Sequence, residues 1–148
     1  MKSIFAIALS LLATAAFAAD KTEAKLDYDA AYAYSLTVTD ESGEEYFTLT
    51  LMKTGELSYE YWVDSQPNSS QEVKLSPDQF KSLSDKFSAA FGAMAKASGK
   101  TGGADYALEK IDGRKATTYT VTGNSSAVKP VLDAADPLIS GQYPIAIK

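Results

Sequence analysis

The chain has 148 residues, 45% of them hydrophobic, with a formal net charge of −5 and neither histidine nor cysteine. Its length suits one domain with a modest core, and the lack of a Lys/Arg cluster argues against nucleic-acid and anionic-membrane binding, which need dense positive charge. The missing residue types exclude Ser-His-Asp and Cys-His catalysis, zinc held by His or Cys, haem on histidine and redox thiols. We therefore expect a protein that is not an enzyme and that holds no cofactor or metal.

The N-terminus has the pattern of a secretory signal peptide. Lys2 gives a positive start, residues 4–12 form an apolar run, and Ala16-Phe17-Ala18 has the small residues of a cleavage site. The run is too short to span a membrane. We expect cleavage near Ala18, which removes residues 1–18 and leaves 148 − 18 = 130 residues with a net charge of −5 − 1 = −6.

The remaining chain is expected to be secreted or periplasmic. Residues 19–27 are polar and should form a flexible N-terminal arm, and residues 28–148 should form a single domain. A cysteine-free exported domain of this size suits a bacterial periplasm or culture medium, because small exported eukaryotic domains often depend on disulfides. The sequons at Asn68 and Asn124 would matter only in a eukaryotic host, and we expect both to be turns.

The domain begins with a predicted meander of antiparallel strands. Alternation of apolar and polar residues indicates half-buried strands, which cover residues 32–39, 46–52 and 57–64. The turn at 53–56 has Gly55 for the positive φ that a tight turn needs. A polar loop over 65–70 and a short fourth strand should follow. The expected core side of the meander carries Tyr32, Tyr34, Leu36, Phe47, Leu49, Leu51, Tyr59 and Tyr61.

A long helix is predicted after the meander. Ser76 at the N-cap, Pro77 at the first helical position and Gln79 at the third form a capping box. One apolar stripe follows at helical spacing, made of Phe80, Leu83, Phe87, Ala90, Phe91 and Met94. We expect this helix to lie across one face of the sheet.

A hairpin and a short helix complete the predicted fold. Residues 106–111 and 114–122 should pair through an Asp112-Gly113 turn, in a register that places Tyr106 opposite Tyr119. The second helix should begin near Ser125 or Ser126, with an apolar stripe made of Val128, Val131, Leu132, Ala135 and Leu138. The pattern leaves open which face of the sheet this helix covers.

Three segments of the second half resemble a group of small bacterial domains. These segments are KLSPDQFKSLSDKF (74–87), YALEKIDGRKATTYTV (106–121) and VKPVLDAADPLI (128–139). Their order resembles that of emfourin-type proteins, which inhibit thermolysin-like metallopeptidases. The resemblance implies a fold more than an activity, and it identifies no inhibitory residue in this chain.

Two sets of carboxylates could in principle support glycoside hydrolysis or hold calcium. The pair Glu60 and Glu109 lies on polar strand faces, where solvated charge needs no further explanation. The turn after the first strand carries Asp40, Glu41, Glu44 and Glu45, but without the alternating spacing of a known calcium loop. We expect both sets to be solvated surface.

The polar side of the meander holds the candidate binding residues. By alternation Trp62, Tyr46, Met52 and Glu60 point away from the first helix, among threonines. Aromatic rings flanked by hydroxyl groups suit contact with a protein or a glycan. The alternative is that the second helix covers this face, or that Trp62 is tucked under the 65–70 loop.

We therefore predict an α+β domain. An antiparallel sheet of about five to seven strands, a meander plus a hairpin, should carry one long helix on a face and a short C-terminal helix. The predicted function is that of a secreted or periplasmic non-catalytic binding protein, with proteinase inhibition as one version; its partner would be another protein, such as a secreted peptidase, or a cell-surface component. The alternative is a structural, envelope-associated protein with no soluble ligand.

Overall fold

The computed structural model describes residues 16–140 and 143–148. Most of the expected signal peptide, residues 1–15, lies outside the described residues. The elements in chain order are β1 (Phe17–Ala18), β2 (Asp20–Lys25), β3 (Tyr32–Thr39), β4 (Glu45–Met52), β5 (Glu56–Val63), β6 (Gln66–Lys74), α1 (Pro77–Met94), β7 (Ser98–Gly99), β8 (Asp105–Asp112), β9 (Lys115–Thr122), α2 (Lys129–Ala135) and a 3-10 turn (Asp136–Leu138).

Seven strands form one antiparallel sheet in the order β2-β9-β8-β3-β4-β5-β6, and β1 pairs with β7 in a separate two-stranded ladder. The expected α+β class with an antiparallel sheet and two helices is thus confirmed. The β8–β9 hairpin joins the meander beside β3, so the sheet has edges at β2 and β6. Neither described helix has the length and hydropathy needed to cross a membrane.

The long helix forms as the capping box predicts. The Ser76 side chain accepts a hydrogen bond from the Gln79 N–H at 3.2 Å, and the Gln79 side chain accepts one from the Ser76 N–H at 2.9 Å. These bonds satisfy two donors that the first helical turn cannot satisfy itself. The buried stripe of α1 consists of Leu83, Phe87, Ala90 and Met94.

Both helices lie on the same face of the sheet. The buried side chains of α1 and α2 belong to one core cluster with those of β3, β4, β5 and β8. Phe87 stacks on Tyr34 with ring centres 5.4 Å apart, and Tyr143, after α2, stacks on Phe47 at 4.9 Å. The second helix therefore packs beside the first, and neither described helix covers the other sheet face.

Two polar segments are strands, contrary to the sequence prediction. Residues 20–25, expected to lie in a flexible arm, form β2 and pair along their whole length with β9. Residues 66–70, expected to be a loop, belong to β6, which pairs with β5 after a two-residue turn at Asp64 and Ser65. Both turn residues have positive φ, 49° and 62°, as a tight hairpin of this type requires. Edge strands such as these gain backbone hydrogen bonds from one neighbour and need no apolar side.

A bulge at the start of β3 reverses the predicted position of Tyr32. Tyr32 pairs with Met52 and Tyr34 with Leu51, so β3 advances by two residues where β4 advances by one. The extra residue turns Tyr32 to the face opposite the helices. There it packs against a small cluster that includes Ile111 and Ala116, instead of joining the main core.

The β8–β9 hairpin turns one residue later than predicted. Asp112 pairs with Lys115 and Tyr106 with Val121, so the turn residues are Gly113 and Arg114. Gly113 has φ of +61°, which suits the first position of a turn with a positive φ there. The pairing shifts by two residues, and each side chain keeps its predicted face because strand side chains alternate with a period of two.

Candidate functional site

The face of the sheet opposite the helices is the candidate site, and we name it the open face. Strand pairing places fifteen central residues on it, namely Ser35, Thr37, Thr39, Tyr46, Thr48, Thr50, Met52, Ser58, Glu60, Trp62, Ala107, Glu109, Thr118, Thr120 and Thr122. Within residues 16–140 and 143–148, neither helix packs on this face. The connection between β2 and β3 covers one end of it, where Ala30 is buried against Ile111.

Hydroxyl side chains make most of the open face polar. They come from neighbouring strands in register, as in the pair Thr37 and Thr48. Ser35 and Thr50 lie opposite each other with their hydroxyl oxygens 3.2 Å apart. Such a cross-strand pair contributes about 0.2–1 kcal/mol, and the open face presents rows of hydroxyl groups on neighbouring strands.

An aromatic pair occupies the end of the open face near the β5–β6 turn. Tyr46 of β4 pairs with Trp62 of β5, and their rings stack with centres 5.9 Å apart and planes inclined by 6°. The indole N–H of Trp62 donates to Oε2 of Glu60 at 3.2 Å. Tyr46 and Trp62 are partly buried, and each ring covers part of the other. The alternative of cover by α2 is wrong, because the buried residues of α2 belong to the core on the other sheet face. Residues 66–70 do lie beside Trp62, but as strand β6, with Pro67 as its pairing partner, and not as a loop.

The structure brings together three of the four predicted site residues. Tyr46, Glu60 and Trp62 are neighbours, but Met52 lies at the opposite end of β4, about 20 Å from Tyr46 at ~3.4 Å per residue. Met52 pairs there with Tyr32, next to the covered end. A ligand at the aromatic pair would contact Met52 only if it extended along the whole strand.

A groove beside Trp62 contains residues that the sequence did not identify as site residues. Its volume is about 320 Å³, and its lining consists of Glu60, Trp62, Pro67, Asn68, Ser69 and Ser70. Trp62 pairs with Pro67 and Tyr61 with Ser69, so Asn68 is the extra residue of a bulge. The uncharged Gln-Pro-Asn-Ser-Ser segment has the composition of a loop, which is why the sequence did not predict these residues as part of the site.

The second sequon is a turn, as expected. The Asn124 side chain donates to the Ser98 carbonyl at 2.8 Å and accepts from the Ser126 N–H at 3.1 Å. Asn68, in contrast, belongs to a strand, so the expected turn at that sequon is wrong.

The pair Glu60 and Glu109 does not form a two-carboxylate site. β5 and β8 are separated by β4 and β3, which places the two backbones about 14 Å apart at ~4.8 Å per strand. The Glu60 carboxylate bonds to Trp62 on its own strand, away from β8. Glycosidases hold their carboxylates within about 5–9.5 Å. Glu109 instead accepts hydrogen bonds from the phenol of Tyr32 and from Thr118. Burial, followed by the Glu109 carboxylate, raises the pKa of the Tyr32 phenol.

The acidic turn between β3 and β4 uses its carboxylates locally. Asp40 accepts hydrogen bonds from the Ser42 hydroxyl at 2.7 Å and from the Glu45 N–H at 3.1 Å. These donors, the Ser42 hydroxyl first, lower the pKa of Asp40. Glu45 accepts from the Tyr61 phenol at 2.9 Å, which raises the pKa of Tyr61. Asp40, Glu41 and Glu45 line a cavity of about 250 Å³, but the lowered pKa of Asp40 suits a turn carboxylate and not a general acid.

The carboxylates of the described ranges, 16–140 and 143–148, form no group of three that could hold a metal ion.

The chain matches no protein-family model, no curated protein and no solved structure.

Proposed function

We propose that this chain is an exported, non-catalytic binding protein and that its ligand contacts the open face around Tyr46 and Trp62. The observation that carries the proposal is the one-sided packing of the helices, together with an ordered aromatic pair on the other side. Flat rings give a large contact area at low cost in conformational entropy, and their polar groups can bind at the rim. A non-catalytic role fits a chain without His or Cys.

Export is supported by where the expected cleavage point falls in the fold. Cleavage after Ala18 would remove β1 but no strand of the seven-stranded sheet, because β2 begins at Asp20. The N–H of Ala19 donates to the Ala97 carbonyl at 3.2 Å, so the new terminus would lie at the sheet edge. Expression in a bacterial host, followed by mass spectrometry of the exported protein, tests the expected cleavage. We expect an N-terminus at Ala19. An uncleaved chain that stays in the cytosol would be the opposing result.

Trp62 fluorescence tests the binding proposal, because Trp62 is the single tryptophan of the chain. The protein without residues 1–18 is titrated with secreted proteins and with envelope extract from the same organism, and acrylamide quenching is measured in each case. Protection of Trp62 by one fraction supports the proposal. If no fraction alters the emission or the quenching, the proposal fails.

Proteinase inhibition is the version of this function that follows from the resemblance to emfourin-type proteins. The three resembling segments correspond to α1, the β8–β9 hairpin and α2 with its 3-10 turn. A secreted thermolysin-like peptidase is therefore the first protein partner to test. We expect micromolar concentrations of this protein to slow peptide hydrolysis by such a peptidase. If it slows none of a panel of these peptidases, the inhibitor version is rejected and other ligands of the open face remain to be tested.

A structural role in the envelope, without a soluble ligand, is the second candidate. It is favoured by the partial burial of Trp62, whose ring stacks on Tyr46 and bonds to Glu60. This candidate expects Trp62→Ala to lower the free energy of unfolding while no fraction from the organism binds the unaltered protein. A fraction that binds the unaltered protein and not Trp62→Phe, a variant that keeps a stacked ring, would reject it.

A further inference from the structure

The indole of Trp62 has two different surroundings on its two sides. β4 and β6 flank β5 on opposite sides. Tyr46 of β4 stacks on the indole, whereas the groove is lined by β6 residues and by Glu60, and Tyr46 is not part of its lining. The stack and the bond to Glu60 therefore fix the ring while the groove side remains accessible. A wall that is held before binding loses little entropy when a ligand packs on it.

The other walls of the groove offer both acceptors and donors. Glu60 uses Oε2 for the indole N–H, and its Oε1 has no hydrogen-bond donor among the residues that the structure describes. Asn68 can donate and accept through its amide, and the bulge in β6 gives it a position that a regular strand would not. Ser69 and Ser70 add hydroxyl groups.

We propose that this groove binds one pyranose ring of a neutral saccharide, with the ring face on Trp62 and the hydroxyl groups toward Glu60 and Asn68. This inference rests on the proposed function of the open face and names its ligand class. A pyranose has a face of C–H groups with partial positive charge, which the negative face of an indole attracts. It also has a rim of hydroxyl groups, each a donor and an acceptor, which match a carboxylate and an amide.

The size and charge of the groove narrow the ligand further. A volume of about 320 Å³ lies at the lower end of the ~300–1,000 Å³ range of small-molecule sites, so the groove suits a single sugar ring. Glu60 and the net charge of −5 disfavour uronic acids and other anionic sugars, because like charges repel. Neutral hexoses and N-acetylhexosamines remain.

The test is a fluorescence titration of the protein without residues 1–18. The probes are glucose, galactose, mannose and N-acetylglucosamine, with maltose, cellobiose and chitobiose, each up to about 50 mM so that dissociation constants near ~10 mM are detected. We expect at least one probe to change the Trp62 emission saturably. Asn68→Ala should weaken that binding about tenfold or more, since a paired polar contact is lost.

Thr120→Ala is the matched control, because Thr120 lies on the open face four strands from β5, about 19 Å at ~4.8 Å per strand. The affinity of the Thr120→Ala protein for the same probe should stay within about twofold of that of the unaltered protein. Calorimetry with Trp62→Ala gives a readout that needs no tryptophan, and circular dichroism establishes that each variant is folded. Loss of binding in a folded Trp62→Ala protein supports the proposal.

Three results would overturn the saccharide assignment. They are no saturable change with any probe, binding that Asn68→Ala leaves unaltered, and binding that Thr120→Ala weakens as much as Asn68→Ala does. If the probes fail while a protein fraction still protects Trp62 from acrylamide, the saccharide inference falls and the binding function stands. If neither probes nor fractions affect Trp62, both fall.

Discussion

The stack of Tyr46 on Trp62 makes a quantitative prediction about the rigidity of the open face. Truncation of both rings, singly and together, forms a double-mutant cycle from Tyr46→Ala and Trp62→Ala. The ring centres are 5.9 Å apart and the planes differ by 6°, which lies within the favourable range for stacked rings. Such pairs contribute about 0.5–1.5 kcal/mol beyond the area they bury. Because both rings are partly buried, we expect a coupling free energy of about 0.5–1 kcal/mol, in the lower half of that range.

Urea unfolding followed by circular dichroism measures this coupling, since the signal does not depend on Trp62. The matched cycle is Tyr46→Ala with Met52→Ala, on one strand but about 20 Å apart, for which additivity within ~0.3–0.5 kcal/mol is expected. A Tyr46–Trp62 coupling no larger than that of the control cycle would refute the view that the stack fixes the indole. The preorganised wall of the proposed groove would then have no energetic support.

Three further predictions concern the fold, each measured by the free energy of unfolding in urea. Phe87→Ala should lower it by about 3–5 kcal/mol, because the ring is fully buried; a loss below that of a surface truncation would contradict the assigned core. Gly92→Ala should raise the free energy of unfolding by about 0.5–1 kcal/mol, since a Cβ there meets nothing within 4 Å. Gly123→Ala should lower it, because φ is +69° and the Cβ would collide with the Gly102 carbonyl oxygen. If both substitutions change stability equally, this contrast is rejected. Burial first, then nearby aspartates, raises the pKa of the Tyr143 phenol. The folded state therefore keeps this proton to a higher pH than the unfolded chain, and the free energy of unfolding should fall as pH rises above ~10. Tyr143→Phe should make that fall less steep, and an unchanged dependence on pH would contradict the prediction.

Several features of the candidate site could be predicted from the sequence. Alternation in β4 and β5 is a local property, because successive side chains of any strand point to opposite faces. It placed Tyr46, Glu60 and Trp62 on one face, where the structure has them. Alternation carries no information on distance along or across the sheet, so it could not separate Met52 from the other three. The groove residues were missed because strand β6 has no apolar pattern of its own.

What the sequence by itself determined is the part that depends on interactions between near neighbours. The capping box of α1, the turn at Gly55, the strands of the meander and the chemistries excluded by the absence of His and Cys all follow from local residues. Backbone geometry and side-chain periodicity act over a few residues and do not need the rest of the chain.

Only the tertiary structure decided the features in which distant segments meet. β2 and β6 are strands because β9 and β5 offer their backbone donors and acceptors. Tyr32 changes face because a bulge opposite β4 shifts the register. The position of α2 beside α1 depends on which sheet face leaves apolar area to cover. Because that packing places both helices on one side, it also leaves Trp62 on a face that neither described helix covers.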